Sequence, residues 1–203
     1  MAKRVGINRD AVVRAAAKIA DDAGWDALTL ARVAKKLRIR SPSLYNHVVG
    51  LEGLRRELKL LVMRDLNDAL SRATIGKSRD DAVRSLAAAY RAFVKRHPGT
   101  YAATMVAAPK NDPALEAAAG QVVETCLSVL SGYGLDRRDG LHAIRAMRSA
   151  VHGFAALEIA GGFGIPLDVD KSFDWLVSAL LKGLSSSLSP NARKARAIIT
   201  DTS

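Results

Sequence analysis

Ser41, Ser43, Tyr45, Asn46 and His47 place two aliphatic hydroxyls, a phenol, an amide and an imidazole within seven residues. Side chains of these types donate to phosphate oxygens and to the edges of bases. Between them, Leu44 and Val48 stand four apart and can point back into a core. Ser41-Pro42 sets a hydroxyl where an N-cap belongs and a proline at the first helical position, where its missing N–H costs nothing. Just upstream, Leu30, Val33, Ala34 and Leu37 keep the i, i+3, i+4, i+7 spacing of one buried helical face, and Thr29 sits at its N-cap. Arg38-Ile39-Arg40 breaks that pattern. Residues 28–47 therefore read as two short helices joined by a tight turn, the second carrying the donors, which is the logic of a helix-turn-helix.

A third helix is needed to cover the pair. Val12, Ala16, Ile19, Ala20 and Ala23 supply its apolar face, between an N-cap at Asn8 and a stop at Gly24. Lys3, Arg4, Arg9, Arg14, Lys18, Arg32, Lys35, Lys36, Arg38 and Arg40 outnumber Asp10, Asp21, Asp22 and Asp26 in this head. Across the 203 residues, 31 Lys and Arg against 20 Asp and Glu give a net charge of +11. Such an excess favours a polyanion. A membrane-surface protein would share the charge, but there is no apolar run of membrane length and no basic amphipathic helix with bulky anchors. Met1 to Ile7 is too short and polar for a secretory segment, so a cytoplasmic location without membrane partners is expected. The single cysteine, Cys126, forms no intrachain disulfide and shares its spacing with Val122, Val123 and Leu130 as a buried apolar residue.

Other chemistry is poorly supported. His47, His97, His142 and His152 converge with no serine and carboxylate set and no metal-ligand spacing, so no catalytic residue, metal or cofactor is expected. Gly161-Gly162-Phe163-Gly164 follows a helix instead of a strand and reads as a helix stop, not a phosphate loop. A helical enzyme without a recognisable catalytic set, and a helical protein-interaction module with a merely solvated basic face, remain as alternatives.

The rest of the chain is helical too. Leu51, Leu54, Leu58, Leu61, Val62 and Leu66 mark a long helix that can act as a lever between the head and the larger C-terminal part. Further helices are expected from Val83 to Val94, from Tyr101 to Met105, from Asp112 to Leu130, from Asp136 to Ala160, and from Asp170 through Phe173, Leu176, Val177, Leu180, Leu181 and Leu184 to Leu188. The fold class is all-α, about nine helices: a three-helix head at 1–52, a larger ligand-binding and dimerisation bundle at 53–189, and a basic, disordered tail at 190–203. Tyr90, Phe93, Tyr101, Met105, Met147 and Phe154 are aromatic and thioether side chains suited to an apolar pocket, although plain core uses the same types. The last two helices carry more apolar surface than one core needs. A larger intrachain core would use that surface, and so would a homodimer, whose expected contacts are Ala150, His152, Phe173, Leu176, Leu180 and Leu184, with two heads then matching a palindrome.

The head resembles the TetR-type transcriptional regulators in the order, spacing and identity of several positions. They are Ala23-Gly24-Trp25, Leu28-Thr29, Val33-Ala34-Lys35-Lys36-Leu37 and Ser43-Leu44-Tyr45-Asn46-His47-Val48, of which Leu44-Tyr45-Asn46-His47 is the most diagnostic. Arg148 to Phe154, containing His152-Gly153, followed by Leu157-Glu158 and Ser172-Phe173, is similar to the His-Gly-containing C-terminal domain of one branch. The resemblance implies a homodimeric repressor on a palindromic duplex operator, released by a small molecule that moves the lever, and the pocket residue types lead us to expect an apolar or aromatic one. It also implies phosphate contacts at Tyr45 and His47. With them, Thr29, Arg40, Ser41, Ser43 and Asn46 complete the expected DNA-binding set. Two positions depart from the family pattern. Arg38 stands in the turn where many members have glycine, and a left-handed non-glycine costs ~1 kcal/mol. Leu51 stands where a phosphate-touching lysine is common, leaving that contact to the helix N-terminal amides.

Overall fold

The structure, a computed structural model, describes residues 7–109 and 111–186. Its described elements are all helical: α1 (Arg9–Ala23), α2 (Leu30–Leu37), α3 (Gly50–Thr74), α4 (Arg79–Arg96), α5 (Pro98–Ala102), α6 (Pro113–Leu130), α7 (Arg137–Ile159) and α8 (Val169–Ser186). Ser41–Asn46 forms a six-residue 3-10 helix, and two further 3-10 turns lie at Trp25–Ala27 and Ser131–Tyr133. No strand occurs among the described residues. Leu188, Lys3, Arg4 and the expected tail at 190–203 lie outside them.

The helix ends follow their cap chemistry. Asn8 Oδ1 accepts from the Ala11 N–H at 2.9 Å, Thr29 Oγ1 from Arg32 at 3.2 Å, and Asp136 Oδ1 from Asp139 at 2.8 Å. Each satisfies an N–H that has no partner inside its own helix. Gly24, at φ 89, ends α1 in a conformation that glycine adopts without steric cost. Two boundaries differ from the sequence reading. The short helix expected over Tyr101 to Met105 is α5, because Pro98 fixes φ for a first turn and the helix ends at Ala102. The last helix starts one residue before Asp170, since the Asp168 carboxylate accepts from the amides of Asp170 and Lys171 at 2.9 and 3.2 Å.

Within the described residues the chain divides into two compact units, 7–65 with 96–119 and 66–95 with 120–186. Helix α3 runs unbroken from one to the other. In the first unit Val12, Ala16, Ala20, Leu28, Val33, Leu44, Leu54 and Leu58 are fully buried. Helix α5 belongs here because it lies against α1. Gly99 makes that approach possible, since a Cβ there would stand 1.7 Å from the Ala20 carbonyl oxygen. Asp21 then receives the Thr100 amide at 2.7 Å and the Thr100 hydroxyl at 2.9 Å, with His97 Nδ1 at 3.1 Å from its other oxygen. Arg56 donates to both oxygens of Asp112, whose Oδ1 also accepts from the Leu115 amide in the first turn of α6.

The second unit is organised around buried polar groups as well as apolar ones. Arg91 donates to both Glu158 oxygens at 2.7 and 2.8 Å and to Asp170 at 2.7 Å. Its guanidinium also lies 4.7 Å from the Phe173 ring and 5.4 Å from that of Phe154. Hydrogen bonds from Arg91 and Lys95 hold the Glu158 carboxyl down at about 2 against the cost of burial. Tyr133, 1% exposed, donates its hydroxyl to Asp80 at 2.6 Å.

Candidate DNA-binding interface

The donor-bearing helix is a 3-10 helix, narrower than the α-helix its sequence suggests. Ser41 does not cap it. Arg40 is the N-cap, with extended backbone and its carbonyl accepting from Ser43 at 3.0 Å, so Ser41 and Pro42 both fall inside the first turn. The proline sets the φ of that turn, and no side-chain cap forms. Leu44, 0% exposed, and Val48, 5% exposed, anchor the segment in the head core as the spacing predicts. Tyr45 is 63% exposed, Asn46 and Ser41 are exposed, and Ser43 and His47 are half-buried. The segment thus presents a graded set of donors on a buried aliphatic base. Thr29, the N-cap of α2, and Arg40, the N-cap of the 3-10 helix, are both exposed.

Charge sorts itself sharply between the first two helices. On α1, Arg14 pairs with Asp10 at 2.8 Å, Lys18 with Asp22 at 3.0 Å, and Arg9 reaches Glu57 at 2.5 Å. Lys35, Lys36, Arg38 and Arg40 are all exposed, and no carboxylate among the described residues lies within ion-pair distance of them. The two lysines also complement the negative end of α2. The α1 cations named above are thus compensated and the group around the end of α2 is not, and that group adjoins the donor segment.

Sequence reasoning missed part of the surface. Val49, 90% exposed, follows the buried Val48 and precedes Gly50, whose φ of 68 opens α3. An apolar residue out of register beside a glycine is the signal that marks it. A shallow depression of about 390 Å³ is lined by Tyr45, Asn46, His47, Val49, Gly53 and the distant Arg9 and Arg56. Nothing in local spacing announces Arg9 there, because the fold alone brings α1 to this edge.

The other predicted sites are placed less distinctively. Phe93 and Met147 are buried and Tyr90 and Phe154 half-buried in the second unit, whereas Tyr101, 3% exposed, and Met105, 47% exposed, belong to the first. Among the expected dimer contacts, Phe173 and Leu184 are already buried in their own unit, while Ala150, His152, Leu176 and Leu180 are half-buried. Burial and the neighbouring Arg148 lower the His152 pKa. Trp175 on α8, 77% exposed, was not anticipated, since it lies off the stripe that carries Phe173 and Leu180. Among the described residues no cluster of ligating side chains fits a metal ion, and no helix is long and apolar enough to cross a membrane.

Comparison with known proteins bears on the same two regions. Residues 83–180 match a family described as "Tetracyclin repressor-like, C-terminal domain". An uncharacterised HTH-type transcriptional regulator of Mycobacterium tuberculosis is 38% identical over 185 residues, covering 91% of this chain and 84% of the relative. A protein of unknown function from Rhodococcus sp. RHA1 superimposes with a TM-score of 0.78 at 20% identity, over 91% of this chain and 99% of that one. A substituted form of TetR from Acinetobacter baumannii AYE, in complex with minocycline, gives 0.68 at 20% identity, over 90% and 99%. With a helix-turn-helix head at one end and a matched repressor-like domain at the other, the chain belongs to the TetR family of helix-turn-helix transcriptional regulators, and it is not an enzyme.

Proposed function

We propose that this regulator is a homodimeric repressor that binds a palindromic duplex operator through Ser41–Asn46 and is released by an apolar or aromatic small molecule. The observation that carries the reading is the exposed donor segment beside four cations that no carboxylate among the described residues neutralises. Tyr45, His47, Thr29 and Arg40 hold the phosphate backbone, and Ser41, Ser43 and Asn46 face base edges. Two heads related by a two-fold axis meet two half-sites, so a dimer contact is required. We assign it to α7 and α8, with Ala150, His152, Leu176 and Leu180 as half-buried contacts. Phe173 and Leu184 support that face from beneath. The branch resemblance around His152-Gly153 falls on the same helix.

For the effector, the proposal keeps Tyr90, Phe93, Met147 and Phe154 of the second unit, and a minocycline-bound relative of the same fold favours an aromatic ligand. Release requires the ligand to prefer one of two states of the protein, with a coupling of ~1–3 kcal/mol. The unbroken α3 suits the transmission. A gel-shift titration on the DNA upstream of the protein's own coding region tests the reading. Sequence-selective binding that weakens steeply with salt supports it, and equal binding to any duplex contradicts it. Reciprocity tests the effector arm, since saturating DNA must weaken a true effector by the factor with which the effector weakens DNA.

A further inference from the structure

Two non-glycine residues among those described adopt positive φ, Arg38 at 55° and Arg79 at 49°. This conformation crowds the Cβ of any L-residue, and glycine escapes the penalty. Strain of this kind persists where the side chain makes contacts that offset it. Arg79 makes them inside the chain: its Nη1 donates to the Gly132 carbonyl at 2.9 Å and its guanidinium lies 5.4 Å from the Tyr133 ring. Arg38 has no counterpart to these. Its backbone does the work of the turn, the N–H bonding to the carbonyls of Ala34 and Lys35, while the side chain is exposed and within ion-pair distance of no described carboxylate. Glycine or asparagine would serve the turn better, so the arginine side chain answers to something outside the chain.

We propose that Arg38 is a DNA phosphate contact. Arg38 and Arg40, two residues apart, set a pair of uncompensated guanidiniums at the leading edge of the donor segment, and a duplex approaching that segment brings closely spaced phosphates to them. The proposal rests on the DNA-facing reading of Ser41–Asn46. It makes one position carry two opposed demands, since the fold prefers no side chain there and binding prefers a cation.

Those demands separate experimentally in Arg38→Gly, Arg38→Asn and Arg38→Lys, each measured for melting temperature and for binding to a random-sequence duplex across a salt series. The glycine and asparagine variants should melt at or above the wild-type temperature. Both should bind DNA more weakly, with a log Kd against log salt slope shallower by about 0.9 per head. Arg38→Lys should keep the wild-type slope. An Arg38→Gly protein with unchanged affinity and slope overturns the proposal. If Arg40→Ala, run in parallel, still lowers the slope, only the role of Arg38 has fallen; if it too changes nothing, the DNA-facing reading has fallen with it.

Discussion

Arginine and lysine do opposite work in two regions of this chain. In the second unit Arg91 and Lys95 are structural: they converge on Glu158, with the Arg91 side chain 11% exposed and that of Glu158 14%. Around the turn that ends α2 arginines and lysines face water, within ion-pair distance of no described carboxylate and next to the donor segment. A composition of +11 counts both groups alike. Pairing tells them apart.

The largest effect should come from the structural group. Arg91→Ala leaves Glu158 buried beside Lys95 alone and should cost about 4 kcal/mol of folding stability in a denaturant titration. A loss under ~1 kcal/mol would make the two regions equivalent. The same cluster sets an acid limit. Glu158 titrates at about 2 when folded against an ordinary 4.5. The folded value is the lower one, so its contribution is complete above pH 4.5 and is lost as pH falls toward 2. That difference corresponds to about 3 kcal/mol, and Glu158→Gln should flatten the stability curve over this window.

Smaller effects should mark the solvated group. Arg40→Ala should weaken binding to DNA by about 1 kcal/mol per head while changing stability by less than ~0.5 kcal/mol, as read by fluorescence anisotropy and thermal melts on the same sample. Smallest of all is Lys18→Ala. Its exposed pair with Asp22 is worth about 0.3–0.5 kcal/mol, and because that charge is already compensated, DNA affinity should hardly move. Equal losses of affinity at Arg40 and Lys18 would erase the distinction.

How legible the molecule was in sequence follows the range of the interactions. Local rules carried the head: Thr29 and Asp136 capped as their positions predict, Gly24 stopped α1, and the Leu44 and Val48 spacing set the buried side of the donor segment. The 3-10 geometry of Ser41–Asn46 was not visible, because a single proline turn fits both helix types. Neither was the seating of α5 on α1, which depends on one missing Cβ at Gly99 and on Asp21, more than seventy residues away. The Arg91 cluster joins three helices, and no window of sequence contains it. In the candidate site, residue types announced the donors, but which cations remain unpaired is a property of the fold.

The central claim is that the exposed face of Ser41–Asn46 reads DNA sequence, and selection of duplexes from a random pool tests it most directly. Wild-type protein should enrich an inverted repeat, and Ser43→Ala or Asn46→Ala should change the bases enriched within each half-site while the spacing between half-sites stays fixed. Failure to enrich any sequence, or identical enriched half-sites from wild type and both variants, would contradict the account.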